Sequence, residues 1–375
     1  MTSRLNAFKF FGIALVSIAV IFCAWQIWSN KTINSSDKKT IGAWLQNDYA
    51  RSDAPAVLIL GDSQLGGLRS ADAKVAGRKL DFALDHRSYA VESELRKINF
   101  TTGPSRLDIS NALSKLGFAN SLNHPASSSR FATGGVTSAS PKVFIASQPG
   151  SIASDYYVMT KGLISEKKKP EIAVITINPR TFLDNGLACP GDSSYFRFFA
   201  KHASLNGPSY NKAYPEFRDK STAFWKNIVR SPIDQVAVGQ FVFLPDDAQS
   251  FNDKTLIYPP NFSFEPQSCR HQIWFLNETL TYLKTANIKS IVVSMPMLQE
   301  KQIAAFKKLH DSIKGEIAES CQKNEAVYVD LTDDNRFVSS DFLDPVHLSQ
   351  NGGAKVAKLI AQYATETGCH DDTIQ

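Results

Sequence analysis

Two short stretches hold residues whose types and spacing suit acyl chemistry. The first is Gly61-Asp62-Ser63-Gln64, directly after the apolar run Ala56 to Leu60. A serine at a sharp turn beyond a strand stands exposed, but its hydroxyl is a weak nucleophile until a neighbouring base takes the proton. The second stretch supplies that base. In Asp341 to Leu348, DFLDPVHL, Asp344 and His347 are three positions apart on a turn before the last helix. That spacing can set the carboxylate beside imidazole Nδ1, which fixes the tautomer and leaves Nε2 free to accept the serine proton. Each stretch also has an ordinary reading. Gly, Asp and Ser are common in turns for conformational reasons, and an isolated Asp-x-x-His can be a capping aspartate beside a surface histidine. The chain holds only 7 histidines, however, and both stretches follow strands. Their joint position at strand C-terminal ends is what points to a site.

Residues so far apart in sequence need a sheet whose strands all end on one side. Short apolar runs predict strands over 56–60, 142–146, 171–177, 290–295 and 326–331. Helical patterns cover 85–98, 152–164, 272–286, 299–322 and 350–364, with Ser151 or Ser154 able to cap the second of them. Small polar residues make 119–141 a long loop. Strands alternating with helices predict a doubly wound parallel α/β sheet, a three-layer sandwich over 55–366. Residues 183–268 break the alternation; rich in aromatics such as Phe196, Phe199 and Trp225, they read as an insertion or lid. Residues 367–375 remain as a tail.

Composition sets the surroundings. The chain has 375 residues, 43% of them hydrophobic, and a net charge of +5. That excludes wholesale disorder. Lys167 to Lys169 is the densest basic block and reads as a solvated helix end, so no nucleic-acid partner is indicated. Phe10 to Trp28 is apolar and uncharged, long enough to cross a bilayer, with Arg4 and Lys9 before it and Trp25 and Trp28 at its far end. Residues 1–30 therefore read as a signal anchor, 31–54 as a polar stalk, and all that follows as lying outside the cytoplasm. A cleaved signal peptide is the competing reading, but Cys23-Ala24-Trp25 is a poor cleavage site. In such a compartment Cys189–Cys269 would tie the ends of the irregular segment, with Cys321–Cys369 as a second bridge; four buried thiols are the alternative. No Cys/His cluster suggests a metal, and no cofactor is called for.

A strand leading into GDSQ, with Asp-x-x-His before the final helix, resembles the SGNH (GDSL-like) hydrolase and acyltransferase superfamily. The resemblance covers about 55–182 and 270–366 and implies Ser63 as nucleophile, with Asp344 and His347 completing a triad. It also implies an oxyanion hole built from a glycine amide and an asparagine side chain. Asn178, after the strand EIAVITI, stands where the family asparagine stands, although Thr176 replaces the glycine of the usual GxND and Pro179 follows. Asn178 as a plain strand-end turn residue is the other reading. Gly150, in Ser147-Gln148-Pro149-Gly150, would be the glycine. An anchor followed by an SGNH-like domain is similar to accessory proteins of cell-envelope polysaccharide O-acylation. That arrangement implies a membrane-bound O-acyltransferase of several spans as partner and an envelope glycan as substrate. Transfer to a glycan hydroxyl, hydrolysis by an esterase or deacetylase, and a silent scaffold or glycan-binding role remain alternatives. His124 reads as a loop residue, and Asp155 and Arg180 as ion-pair partners, with contact to substrate as the alternative for those two.

Overall fold

The computed structural model describes residues 41–53, 55–82, 84–98, 141–183, 199, 242–246, 266–298 and 304–368. The expected anchor at 10–28 and the loop at 119–141 lie outside the described residues. Among the described residues no helix is long and apolar enough to cross a membrane.

In chain order the elements are α1 (Ile41–Arg51), β1 (Val57–Gly61), α2 (Gly66–Ala76), β2 (Leu80–Asp81), α3 (Tyr89–Lys97), β3 (Val143–Ser147) and α4 (Ala153–Leu163). Then come β4 (Ile172–Ile177), β5 (Val242–Phe243), α5 (Pro266–Thr285), β6 (Lys289–Ser294), α6 (Ala304–Lys323), β7 (Val327–Asp330) and α7 (Gln350–Gly368). Five strands form one sheet in the order β3-β1-β4-β6-β7, every pair parallel. Numbered within that sheet alone, the order is 2-1-3-4-5, the doubly wound pattern with its switch point between the first and third strands.

β1, β3, β4 and β6 are buried on both faces, which is why they read as continuous apolar runs rather than alternating ones, whereas the edge strand β7 is largely exposed or half-buried. Side-chain alternation sends Leu58, Leu60, Ala173, Ile175 and Val292 to one core, covered by α1, α4, α5 and α6. It sends Val57, Ile59, Ile172, Val174 and Ile291 to the other, covered by α2, α3 and α7.

Three expectations need correction. The segment 31–54 is not wholly a stalk: α1 inserts Ala43, Leu45 and Tyr49 into the first core, and the Tyr49 hydroxyl donates to the Lys168 carbonyl. Its apolar residues are spaced among polar ones, so its composition hid a helix face. Neither Ser151 nor Ser154 caps α4; the Asp155 carboxylate instead takes the Ile152 amide at 3.0 Å. Cys321 is a free thiol buried in the first core, its pKa pushed up to about 12 by desolvation, and is not bridged to Cys369. Cys269 is buried at the start of α5, and its expected partner Cys189, like Cys369, lies outside the described residues. Little of the insertion is described, but β5 pairs antiparallel with β2, and the Pro245 carbonyl accepts from Gln350 Nε2.

Candidate active site

Ser63 follows β1 on a single 3₁₀ turn, Ser63–Leu65. Gly61, the last residue of β1, has no room for a side chain: a Cβ there would lie 2.3 Å from Thr176 Oγ1 and 2.4 Å from Leu65 Cδ1. Thr176 thus occupies the space that Gly61 vacates, and its hydroxyl donates to the Leu60 carbonyl at 3.0 Å. The turn is set by Asp62, whose Oδ1 accepts the Gln64 amide at 2.9 Å. Ser63 stands half-buried at the first position of the turn, where a backbone N–H has no acceptor within the turn.

His347 reaches the same place from the far end of the chain. Sixteen residues, 331–346, separate it from β7, so the connection is longer than a short loop. It is nonetheless pinned. Phe342 and Leu348 form an antiparallel bridge, and within it the Leu343 amide donates to the His347 carbonyl at 2.7 Å. The Leu298 amide, beyond β6, donates to the Pro345 carbonyl and ties the loop to the sheet edge. Asp344 Oδ1 accepts the amides of Val346 and His347 at 2.9 and 2.8 Å, which orients the carboxylate. Its Oδ2 is 2.6 Å from His347 Nδ1, and His347 Nε2 is 2.9 Å from Ser63 Oγ.

These contacts define a direction for the proton. Asp344 takes the Nδ1–H of His347, so neutral imidazole presents the Nε2 lone pair to the serine hydroxyl. Burial alone would raise the Asp344 pKa. The hydrogen bond and charge of His347, with the two amides, outweigh it and hold the carboxyl below its ordinary value. The imidazole is a quarter exposed, whereas Asp344 is buried. An imidazolium formed by proton transfer would therefore rest against a fixed, ionised carboxylate.

Asn178 follows β4 and caps the 3₁₀ turn Pro179–Phe182: its Oδ1 accepts the amides of Arg180 and Thr181 at 2.7 and 3.2 Å. That bond leaves Nδ2 to face β1, where it donates to Asp62 Oδ2 at 2.6 Å. Desolvation raises the Asp62 pKa, against the Gln64 and Asn178 hydrogen bonds and the charges of His347 and Arg180. One Nδ2 hydrogen is spent on Asp62, and the amide has a second to give.

Ser63, His347, Asp62, Gln64 and Asn178 line a small open cleft together with Pro179, Arg180, Met297, Phe306 and Val346. The cleft lies beyond the β1 and β4 C-termini, at the switch point. The structure thus brings Ser63, Asp344, His347 and Asn178 together. It does not bring Gly150 there. Gly150 is exposed in the turn after β3, is not among the cleft residues, and needs to be glycine for its φ of 79°. The Ser63 amide, Met297, Phe306 and Val346 gave no signal of a site role in the sequence, since only the fold shows what faces Ser63; Arg180, read as a substrate contact or an ion-pair partner, lies in the cleft.

No protein-family model matches the chain, and no curated protein does. Among solved structures the chain is similar to the α/β hydrolase LAE5 from the metagenome of Lake Arreo, Spain, at 11% identity and a TM-score of 0.38, over 86% of this chain and 98% of that one. It is also similar to a catalytic mutant of Axe2, an acetylxylan esterase from Geobacillus stearothermophilus, at 11% identity and a TM-score of 0.36, over 84% of this chain and 95% of that one.

Proposed function

We propose that the protein is a serine-dependent O-acyl enzyme working through an acyl-Ser63 intermediate. The single observation that carries this reading is the contiguous line Asp344 Oδ2, His347 Nδ1, His347 Nε2, Ser63 Oγ, at 2.6 and 2.9 Å. His347 takes the Ser63 proton as the oxygen attacks an ester carbonyl, and Asp344 steadies the imidazolium. His347 then returns the proton to the departing alcohol. The Ser63 amide and the second hydrogen of Asn178 Nδ2 are the donors on hand for the developing oxyanion, and one such donor typically contributes ~10²–10³ in rate. In the second half-reaction His347 deprotonates an acceptor hydroxyl, whose oxygen attacks the acyl carbonyl; the bond to Ser63 Oγ breaks and His347 returns the proton to it.

The acceptor in this proposal is a hydroxyl of a cell-envelope glycan, reached by a domain held outside the cytoplasm by residues 10–28. The apolar run with its flanking Arg4 and Lys9, and the SGNH-like motifs, support that part. A single span cannot itself carry acyl groups across a bilayer, so a membrane-bound O-acyltransferase of several spans would supply them. The open cleft and the exposed edge of His347 favour a second reading, in which water is the acceptor and the protein is an esterase. Labelling with a fluorophosphonate probe tests what the two readings share. Wild type should be modified at Ser63, and Ser63→Ala and His347→Ala should not. A Ser63→Ala protein that still labels, or still transfers acyl groups, would overturn both.

A further inference from the structure

The cleft lining is of two kinds. Met297 and Phe306, 4% and 3% exposed, are apolar, as is Val346. Arg180, beside Pro179, is cationic. The Arg180 backbone is fixed by its amide bond to Asn178 Oδ1. Its half-buried guanidinium makes no hydrogen bond or ion pair with any described residue. A guanidinium offers five N–H donors in a planar fork and, when partly desolvated, ordinarily finds an oxyanion. Asp62 is the carboxylate among the cleft residues and feels the Arg180 charge, but its oxygens accept from the Gln64 amide and Asn178 Nδ2 and form no hydrogen bond with the guanidinium. Arg180 is also the one Lys or Arg among the cleft residues. A single cation matches a singly charged group such as a carboxylate better than a phosphate dianion.

We propose that Arg180 anchors a carboxylate carried by the alcohol portion of the ester, so that the preferred substrates are esters of acidic alcohols. The inference rests on Ser63 being the nucleophile. With the ester carbonyl at Ser63, the alkyl part of the acyl group suits the apolar Met297 and Phe306, and a charged alcohol portion suits Arg180.

Kinetics on 4-acetoxybenzoate and its neutral methyl ester test this, because the two differ only in the charge on the alcohol portion. Wild type should favour the carboxylate, and Arg180→Gln should lower kcat/KM for it ~10–100-fold more than for the methyl ester, the range for a charge-assisted hydrogen bond. Arg180→Lys should keep part of the preference. A wild type without preference, or an Arg180→Gln protein that loses equally on both esters, would overturn the inference. If wild type turns over neither ester and is not labelled at Ser63 by the fluorophosphonate probe, the reading of Ser63 fails, and in either case calorimetry decides Arg180 separately. Binding of 4-acetoxybenzoate to Ser63→Ala that weakens ~10-fold or more in Ser63→Ala/Arg180→Gln supports the anchor; equal binding overturns it.

Discussion

Asp344 does two jobs with its two oxygens. Oδ1 is committed to the backbone amides of its own loop, and Oδ2 to the imidazole. Replacing Asp344 by Asn should therefore cost activity through the tautomer, because an amide can donate to Nδ1 and place the proton on Nε2, where it cannot accept from Ser63. A loss of ~10⁴ in kcat is expected by analogy with other triads, with the fold kept. A pH signature follows too. A carboxylate whose folded pKa is depressed stabilises the folded state above its unfolded pKa, and that stability is lost as pH falls through the folded value. Wild type should thus melt higher than Asp344→Asn near neutral pH, and the two should converge below the ordinary aspartate value of ~3.9. A difference in melting temperature that persisted undiminished at pH 2 would contradict the ionised, hydrogen-bonded Asp344 described above. The Asp-x-x-His spacing was legible in the sequence because the pair is local. Arg180 was legible only as one of two things, substrate contact or ion-pair partner, because an arginine after a strand carries no mark of whether its charge is already used.

The elements that deliver Ser63 and His347 are joined by a glycine seam. α2 begins just after Ser63 and α7 just after His347, and each opens on paired glycines, Gly66-Gly67 and Gly352-Gly353. A Cβ on Gly353 would sit 2.0 Å from the Gly67 carbonyl atoms, and one on Gly67 would sit 2.7 Å from the Leu348 and Ser349 carbonyl oxygens. The two helix starts therefore touch backbone to backbone, and Gln350 Nε2 adds a bond to the Ser70 carbonyl at 3.1 Å. Gly353→Ala cannot be absorbed by a rotamer change. It should destabilise by ~1–3 kcal/mol and lower kcat/KM by spreading Ser63 from His347. Gly315→Ala is the matched control. Gly315 lies in α6 with nothing within 4 Å of a built Cβ, so alanine there should stabilise by ~0.4–1 kcal/mol and leave kinetics unchanged. Denaturant melts with esterase kinetics on both variants check the pair; a stable, active Gly353→Ala would show that the seam does not position the site. Paired glycines are poor helix formers, each costing ~1 kcal/mol against alanine, so the pattern hid α2 even as it marked the place where two helices must meet.

Across the whole molecule, the strand order decides where chemistry can occur. Because β1 is flanked by β3 on one side and β4 on the other, the chain leaves β1 and β4 towards opposite faces, and a crevice opens between their ends. Ser63 and Asn178 stand on its two lips. Placing this domain outside the cytoplasm is a statement about the full chain, and a periplasm-dependent reporter fused after residue 375 should be active; a stable but silent fusion would overturn the anchored reading. The sequence alone determined the five sheet strands, the alternation that makes a parallel sheet, and the local pair Asp344 and His347, because these depend on apolar runs and short spacing. Tertiary structure decided the rest. It showed that Gly150 stays outside the cleft: although β3 neighbours β1, Gly150 stands exposed in the left-handed turn beyond it. It turned part of the expected stalk into a core helix, because Ala43, Leu45 and Tyr49 have an apolar surface to cover. It left Cys321 a buried thiol, and it spent one hydrogen of Asn178 on Asp62. Each of these rests on what lies opposite a residue across the fold, and linear spacing holds no record of that.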